Sequence, residues 1–369
     1  MSKVLFMTNI PVPYRVAFFN ELGKNTNLTV VYERKSAKTR EKEWLQSKND
    51  NFESIFMKGI HVGDDCAFCP EIIKIIKKGC FDFIIVGAYY TPTGMLAIEY
   101  MNRHNICYGF SGDGGFIKND RRLKYLIKKH FQKNGKFYFS PSKNGDDVVK
   151  HYGASEDKIY RYPFSSLVEK DILHEPVSQS EKQIIRNQLN IKYDKVVLAV
   201  GRLVSFKAWE YLPQMAKILG NDVGIYLIGG KSEGSCYQKL FEEYNAPNFH
   251  VIDFKSKEEL WKWYKAADVL AFPTRGDVWG LVVNEALACG LPVVTTDMCV
   301  SGRELIKNGF NGYMVRVDDL EALSNSVSKI INLNEIKYKE MQNNSLNVIK
   351  DYTIEKMADA YLAALNIMS

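Results

Sequence analysis

The chain has 369 residues, 46% of them hydrophobic and 25% charged, a composition that excludes a disordered or collagen-like protein and gives room for about two domains. Its seven cysteines are odd in number and scattered, which points to reduced thiols rather than a disulfide framework. The net charge of +6 is unevenly shared, with 26 Lys/Arg against 17 Asp/Glu in residues 1–165 and 23 against 26 in the remainder.

The basic first half predicts an anionic partner, either a membrane surface or a phosphorylated substrate. Nucleic acid is not expected, because there is no zinc-finger spacing, no RNA-recognition aromatic signature and no basic region followed by heptads. The longest apolar runs, such as Val196–Val200, fall far short of the roughly 18 residues that span a bilayer. At the N-terminus Lys3 precedes Val4–Met7, but Thr8 and Asn9 end the run too early for a signal peptide. That run is expected to be a buried strand, and the protein is expected in the cytoplasm.

Further strands are predicted at Leu28–Tyr32, Phe83–Val86, Cys107–Phe110 and Phe137–Ser140, with helical patterns at Val16–Gly23, Glu71–Lys78, Thr93–Arg103 and Arg121–Lys133. This alternation implies a parallel sheet with crossover helices over residues 1–165. Residues 166–193 are polar, with Glu181, Lys182, Gln183 and Arg186, and read as a linker. The pattern restarts at Val196–Val200 and continues through Tyr226–Ile228, His250–Ile252, Val269–Phe272 and Pro292–Thr295, defining a second domain over 194–350. The fold class is α/β, two doubly wound domains with the C-terminal ends of their strands facing a central crevice.

Chemistry is therefore sought just after each strand. Gly201–Lys207 follows the first strand of the second domain and precedes the helical pattern Ala208–Leu219, so Arg202 and Lys207 stand beside a helix start. The helix dipole makes a cation unfavourable there by roughly 0.3 to 1 kcal/mol unless an anion intervenes. A phosphate would resolve the conflict; the alternative is a pair of solvated charges. After Phe272 a loop carries Asp277, and a helix predicted from Trp279 to Gly290 carries Glu285 among apolar neighbours. A carboxylate there must be hydrogen-bonded or paired. Ribose hydroxyls would satisfy it, as would an internal bond; Asp277 faces either a sugar phosphate or solvent.

Other signals are weaker. Gly229-Gly230-Lys231-Ser232 imitates the end of a P-loop, but Ile225 stands where the first glycine is required. Arg275-Gly276-Asp277 resembles an integrin-binding tripeptide, without context for it in a cytoplasmic protein. Cys66 and Cys69 have metal-like spacing with no second pair nearby, and the six histidines show no ligand spacing. Around Arg121–Lys136, Leu123, Leu126, Ile127, His130 and Phe131 form one stripe, while Arg121, Arg122, Lys124, Lys128, Lys129, Lys133 and Lys136 occupy the other positions. That basic face is either solvated or docks on anionic lipid.

Taken together, Gly201–Lys207, Ala267–Pro273, Asp277–Val293 and Asn311–Val315 resemble, in order and spacing, the motifs of the group 1, or family 4, retaining glycosyltransferases of the GT-B fold, whose two Rossmann-like domains face a crevice. The resemblance covers most of residues 195–320. It implies that Arg202 and Lys207 bind the donor diphosphate and stabilise it as a leaving group, and that Glu285 holds the ribose. Asp277 stands where the family usually has a longer Glu toward the donor sugar, and Val278 replaces a common Gly. The amides of Trp279, Gly280 and Leu281 remain for phosphate. The segment 351–369, with the amphipathic stretch Thr353–Ile367, corresponds to a last helix crossing back to the first domain.

In the first half, where the family often has a glycine-rich loop, Asn9–Arg15 stands instead, with Tyr14 and Arg15 expected on the acceptor side. Asp113, among glycines where many relatives place a His, is expected to contact the reacting sugar or accept an acceptor proton; a turn-forming role is the alternative. The implied function is metal-independent transfer of a hexosyl or related group, with retention, from a nucleotide diphosphate sugar to a hydroxyl acceptor, lipid-linked or an oligosaccharide. No cofactor beyond the donor substrate is called for. The expected setting is synthesis of capsule, O-antigen or exopolysaccharide at the inner face of the cell membrane, with peripheral contact to anionic lipid. The alternative is a catalytically silent nucleotide- or glycan-binding relative. A dinucleotide-dependent oxidoreductase would also be doubly wound, but the chain lacks Gly-x-Gly-x-x-Gly after a strand with an acid about 20 residues on.

Overall fold

The computed structural model describes residues 1–36, 49–229, 237 and 241–368. The chain divides into two units, Met1–Ser166 with Tyr352–Ser369, and Leu167–Asp351.

The first unit holds β1 (Lys3–Thr8), β2 (Asn27–Tyr32), β3 (Glu53–Phe56), β4 (Ile60–Val62), β5 (Cys66–Phe68), β6 (Phe83–Val86), β7 (Gly109–Ser111), β8 (Tyr138–Ser140) and β9 (Ile159–Arg161). Seven of these form one sheet in the order β3-β2-β1-β6-β7-β8-β9, every pair parallel, while β4 and β5 make a separate antiparallel hairpin. Val4, Leu5 and Phe6 are 0% exposed; a continuous apolar run of this kind is what a central parallel strand covered on both faces requires. The helices are α1 (Pro13–Gly23), α2 (Glu71–Gly79), α3 (Pro92–Arg103), α4 (Arg122–Gln132) and α5 (Lys143–His151). Pro13 and Pro92 start their helices at positions whose amides need no partner. Thr91 caps α3 by accepting from the Gly94 amide. The edge strands β3 and β9 and the hairpin are additions to the sequence expectation; they are short and partly exposed, so they lack the apolar run that announces a buried strand.

The second unit holds β10 (Lys195–Val200), β11 (Val223–Ile228), β12 (Phe249–Ile252), β13 (Val269–Phe272), β14 (Val293–Thr296) and β15 (Gly312–Val315), all parallel in the order β12-β11-β10-β13-β14-β15. The strand order reverses between β10 and β13, and the space beyond the carboxyl ends of such strands is where doubly wound sheets bind ligands. Its described helices are α6 (Gln179–Gln188), α7 (Tyr211–Leu219), α8 (Lys257–Ala266), α9 (Leu281–Ala288), α10 (Val300–Leu305), α11 (Leu320–Ile331) and α12 (Glu335–Ile349). The last helix, α13 (Ile354–Met368), belongs to the first unit. Its Tyr361 lies over Phe139 with ring centroids 3.7 Å apart and shares a 2.7 Å hydrogen bond with Ser111.

The reading of residues 166–193 as a linker is corrected by α6. Lys182 and Arg186, one turn apart on that helix, are 2% and 0% exposed and converge on Asp268, at 3.1 and 2.8 Å. A polar segment can sit inside a domain when its charges are paired and their hydrogen bonds met. Here Lys182 Nζ also donates to Ala267 O and Tyr338 Oη, and Arg186 donates to Ala266 O and Asp194 O. Of the tetrapeptide that imitates a P-loop, Gly230, Lys231 and Ser232 lie outside the described residues.

Candidate active site

The segment after β10 departs from the expected helix start. Ser205–Lys207 forms a 3-10 turn, Ala208 is left-handed at φ 55°, and α7 begins only at Tyr211. Lys207 therefore does not oppose a helix dipole directly. It is 9% exposed, its ammonium 4.4 Å from the Phe272 ring centroid, and it is ion-paired with Asp277 from the loop after β13. The two loops are further joined by Arg275 N–H donating to Phe206 O at 2.7 Å. Arg275 itself bridges Glu210 and Asp318 at 2.7 and 2.6 Å, so its place beside Gly276 and Asp277 is a loop clamp. Arg202 is exposed, its carbonyl accepting from Trp209 Nε1 at 2.8 Å.

Asp277 is fixed through its backbone as well, donating to Met298 O and accepting from Val300 N. The helix predicted from Trp279 begins at Leu281, because Gly280 takes φ 98° ahead of it. A Cβ there would lie 2.7 Å from Cys299 Sγ, so only glycine fits both the angle and the space. Trp279 is buried and donates from Nε1 to Asn284 Oδ1 at 2.8 Å. Glu285, half-buried on α9, accepts from Tyr264 Oη at 2.7 Å, and burial followed by Glu285 raises that phenol well above its ordinary pKa. The second unit thus brings Lys207 and Asp277 into contact at the strand-order switch, and it gives Glu285 an internal donor.

The first unit gathers its own cluster beyond β1 and β7. Asp113 accepts from Arg15 Nη2 at 2.5 Å and from Tyr14 Oη at 3.2 Å, while Tyr162 Oη donates to Gly112 O at 2.6 Å. Burial opposes the Arg15 cation, but Asp113 and the neighbouring phenols outweigh it and hold the guanidinium above its usual range. Burial, then Asp113, raises the Tyr14 phenol. Both Asp113 oxygens are thus engaged, and the carboxylate is anchored by a cation. The sequence reading missed that anchor, and it missed Asn9 and Asp65, whose side chains meet at 2.8 Å beside the same loop.

On α4 the apolar stripe divides. Phe131 packs on the core, but Leu123, Leu126 and Ile127 are 72%, 50% and 44% exposed. Lys128, counted with the basic face, is bound internally to Asp120 at 2.6 Å and Tyr152 at 3.3 Å. No group of His, Cys, Asp and Glu among the described residues is arranged to hold a metal ion. Six described cysteines are free thiols, and no described helix is long and apolar enough to cross a membrane.

Two Rossmann-like units, with strand-end clusters of this kind, define the GT-B class of fold. The Anabaena protein HepE, solved with UDP and glucose, superposes over all of both chains with a TM-score of 0.77 at 14% identity. Residues 181–348, all within the second unit, match the family described as glycosyl transferases group 1. The chain is 24% identical over 300 residues, 79% of this chain and 78% of the relative, to the N,N'-diacetylbacillosaminyl-diphospho-undecaprenol alpha-1,3-N-acetylgalactosaminyltransferase of Campylobacter jejuni. Over 164 residues it is 30% identical to the capsular polysaccharide biosynthesis glycosyltransferase CapM of Staphylococcus aureus, covering 42% of this chain and 43% of that one.

Proposed function

We propose that the protein transfers a sugar from a nucleoside diphosphate sugar to a hydroxyl of a lipid-linked oligosaccharide during surface-glycan assembly, retaining the anomeric configuration and needing no metal. The observation that carries this reading is the meeting of Lys207 and Asp277 at the switch between β10 and β13, within the segment that matches the family. Lys207 and Arg202 supply positive charge where the departing diphosphate gains negative charge, which is the electrostatic work a leaving group needs. Glu285 takes the ribose hydroxyls, the amides heading α9 face the phosphates, and Asp277 gives up Lys207 as the donor arrives. The leaving phosphate itself receives the acceptor proton on the face it vacates, and this front-side path retains configuration.

The acceptor reading rests on the undecaprenol-linked substrate named for the Campylobacter relative and on the Arg15–Asp113–Tyr14 cluster. It also rests on α4, where exposed leucines lie among Lys124, Lys129 and Lys133, a pairing of apolar and cationic side chains suited to an anionic lipid surface at the inner face of the membrane. A panel of nucleotide sugars, scored by thermal stabilisation and by transfer to lipid-linked acceptors, tests the proposal. Stabilisation by one donor with inversion, or with transfer only on adding a divalent metal, would overturn the stereochemical or the metal-independent part. Donor binding without turnover would favour the silent relative.

A further inference from the structure

Glu33, which directly follows β2, is 5% exposed and takes no part in the chemistry above. Its Oε2 accepts from the Ala67 amide of β5 at 2.8 Å, and its Oε1 lies 2.5 Å from Thr91 Oγ1. Thr91 Oγ1 is also 2.9 Å from Ala88 O and accepts from the Gly94 amide at 2.9 Å. A hydroxyl has a single proton to give, and here two oxygens stand ready to receive it. An ionised Glu33 leaves one of those contacts as oxygen against oxygen with nothing between. A protonated Glu33 completes the set: Glu33 donates to Thr91, Thr91 donates to Ala88 O, and the Ala67 and Gly94 amides fill the remaining acceptor positions.

The charged and titratable surroundings agree. From the hairpin, Asp65 and Cys66 face Glu33, and Cys69 follows on the same segment; Asp65 repels a second negative charge. Arg34, the next residue along the chain, donates instead to the carbonyls of Gly63 and Asp64. Burial, partly offset by the bond from the Ala67 amide, raises the Glu33 carboxyl to about 7.

We propose that Glu33 is a positioning residue that carries a proton in the closed state, holds the β4–β5 hairpin over the end of β2 as a neutral acid, and lets the hairpin open when it ionises. The hairpin is the cover over this carboxyl, since β5 supplies Ala67, fully buried and also bonded through its carbonyl to Thr93 Oγ1 at 2.6 Å. An ion needs water there, and lifting the hairpin admits it. Asp65 of the hairpin holds Asn9, so the opening also releases the loop that leads to Tyr14 and Arg15. The inference rests on the first unit alone and stands whichever sugar is transferred.

The test is amide hydrogen exchange at Ala67, normalised to unstructured-chain rates, in the full chain from pH 4.5 to 8.5. Because the closed form binds the proton more tightly than the open form, protection is full below about 4.5, falls by roughly tenfold per pH unit up to about 7, and is level above. Glu33→Gln copies the neutral acid, its carbonyl accepting from Ala67 and its amide donating to Thr91, so its profile should be flat. A flat profile in the wild type, or the same slope in E33Q, overturns the proposal. Carbon-13 titration of the Glu33 carboxyl in the wild type decides the matter without any variant, with a midpoint near 7 expected and one near 4.5 refuting it.

Discussion

Asp268 is the residue on which the second unit should depend most, and Asp268→Asn measures by how much. Its Oδ1 accepts from Lys182 and its Oδ2 from both Arg186 Nη2 and the Val196 amide. An asparagine nitrogen in either place points a donor at donors, and two cations that are 2% and 0% exposed lose their only carboxylate partner in the cluster. Breaking a buried ion pair by removing one partner costs about 3–5 kcal/mol. Four of the five tryptophans, Trp209, Trp261, Trp263 and Trp279, belong to this unit, so their fluorescence reports its unfolding. With a urea slope of about 2–3 kcal/mol/M, the midpoint should fall by about 1–2.5 M. Lys182→Met should cost clearly less, because it removes the surplus cation and keeps Arg186 with Asp268. Burial outweighs Asp268 in holding Lys182 below its ordinary pKa. The unfolded chain then binds the extra proton, and the wild-type unit should gain stability as pH rises toward the usual lysine range. A midpoint shift for Asp268→Asn below about 0.3 M, or one matched by Lys182→Met, would refute the account of this cluster.

Lys207→Ala and Arg202→Ala should each slow turnover at least tenfold, since each removes a charge-assisted contact worth roughly 1.5 to 3 kcal/mol; steady-state rates on variants with native circular dichroism check this, and near-native rates would remove the diphosphate assignment. Asp277→Asn leaves Lys207 without its carboxylate, so calorimetry should show a nucleoside diphosphate bound more tightly than by the wild type; equal or weaker binding would take Asp277 out of the exchange with the donor. Sedimentation with anionic vesicles should weaken as salt rises and be lost when Lys124, Lys129 and Lys133 become Glu, or when Leu123 and Leu126 become Ser; binding unchanged by both sets would leave α4 a solvated face.

The central strands were legible because their apolar runs are uninterrupted, and β6 and β13 begin and end where the residue pattern places them. Edges were not: β3 has no buried residue, only two half-buried ones between exposed ends, and the two hairpin strands have three residues each, too few to set a period. Lys182 and Arg186 read as linker charges because nothing in their own segment names a partner. The signal lay 82 residues later in Asp268, an acid set between Ala267 and the apolar run Val269–Phe272. A carboxylate in such a place demands cations, and two on one helix face one turn apart are the natural suppliers.

Asp277 shows how a local departure can be read once its neighbour is known. Taken alone, the missing methylene withdraws its carboxylate from a donor sugar by about one bond length. In the fold that carboxylate closes on Lys207, which is held between the Phe206 and Phe272 rings at 5.4 and 4.4 Å. A mostly buried ammonium needs an anion before any substrate arrives, and the diphosphate of a donor can replace that anion without leaving the ammonium unpaired. If Lys207 is the donor's phosphate ligand as proposed, the pair with Asp277 keeps its ammonium aligned beforehand, so that donor binding would exchange one ion pair for another instead of ordering a free lysine.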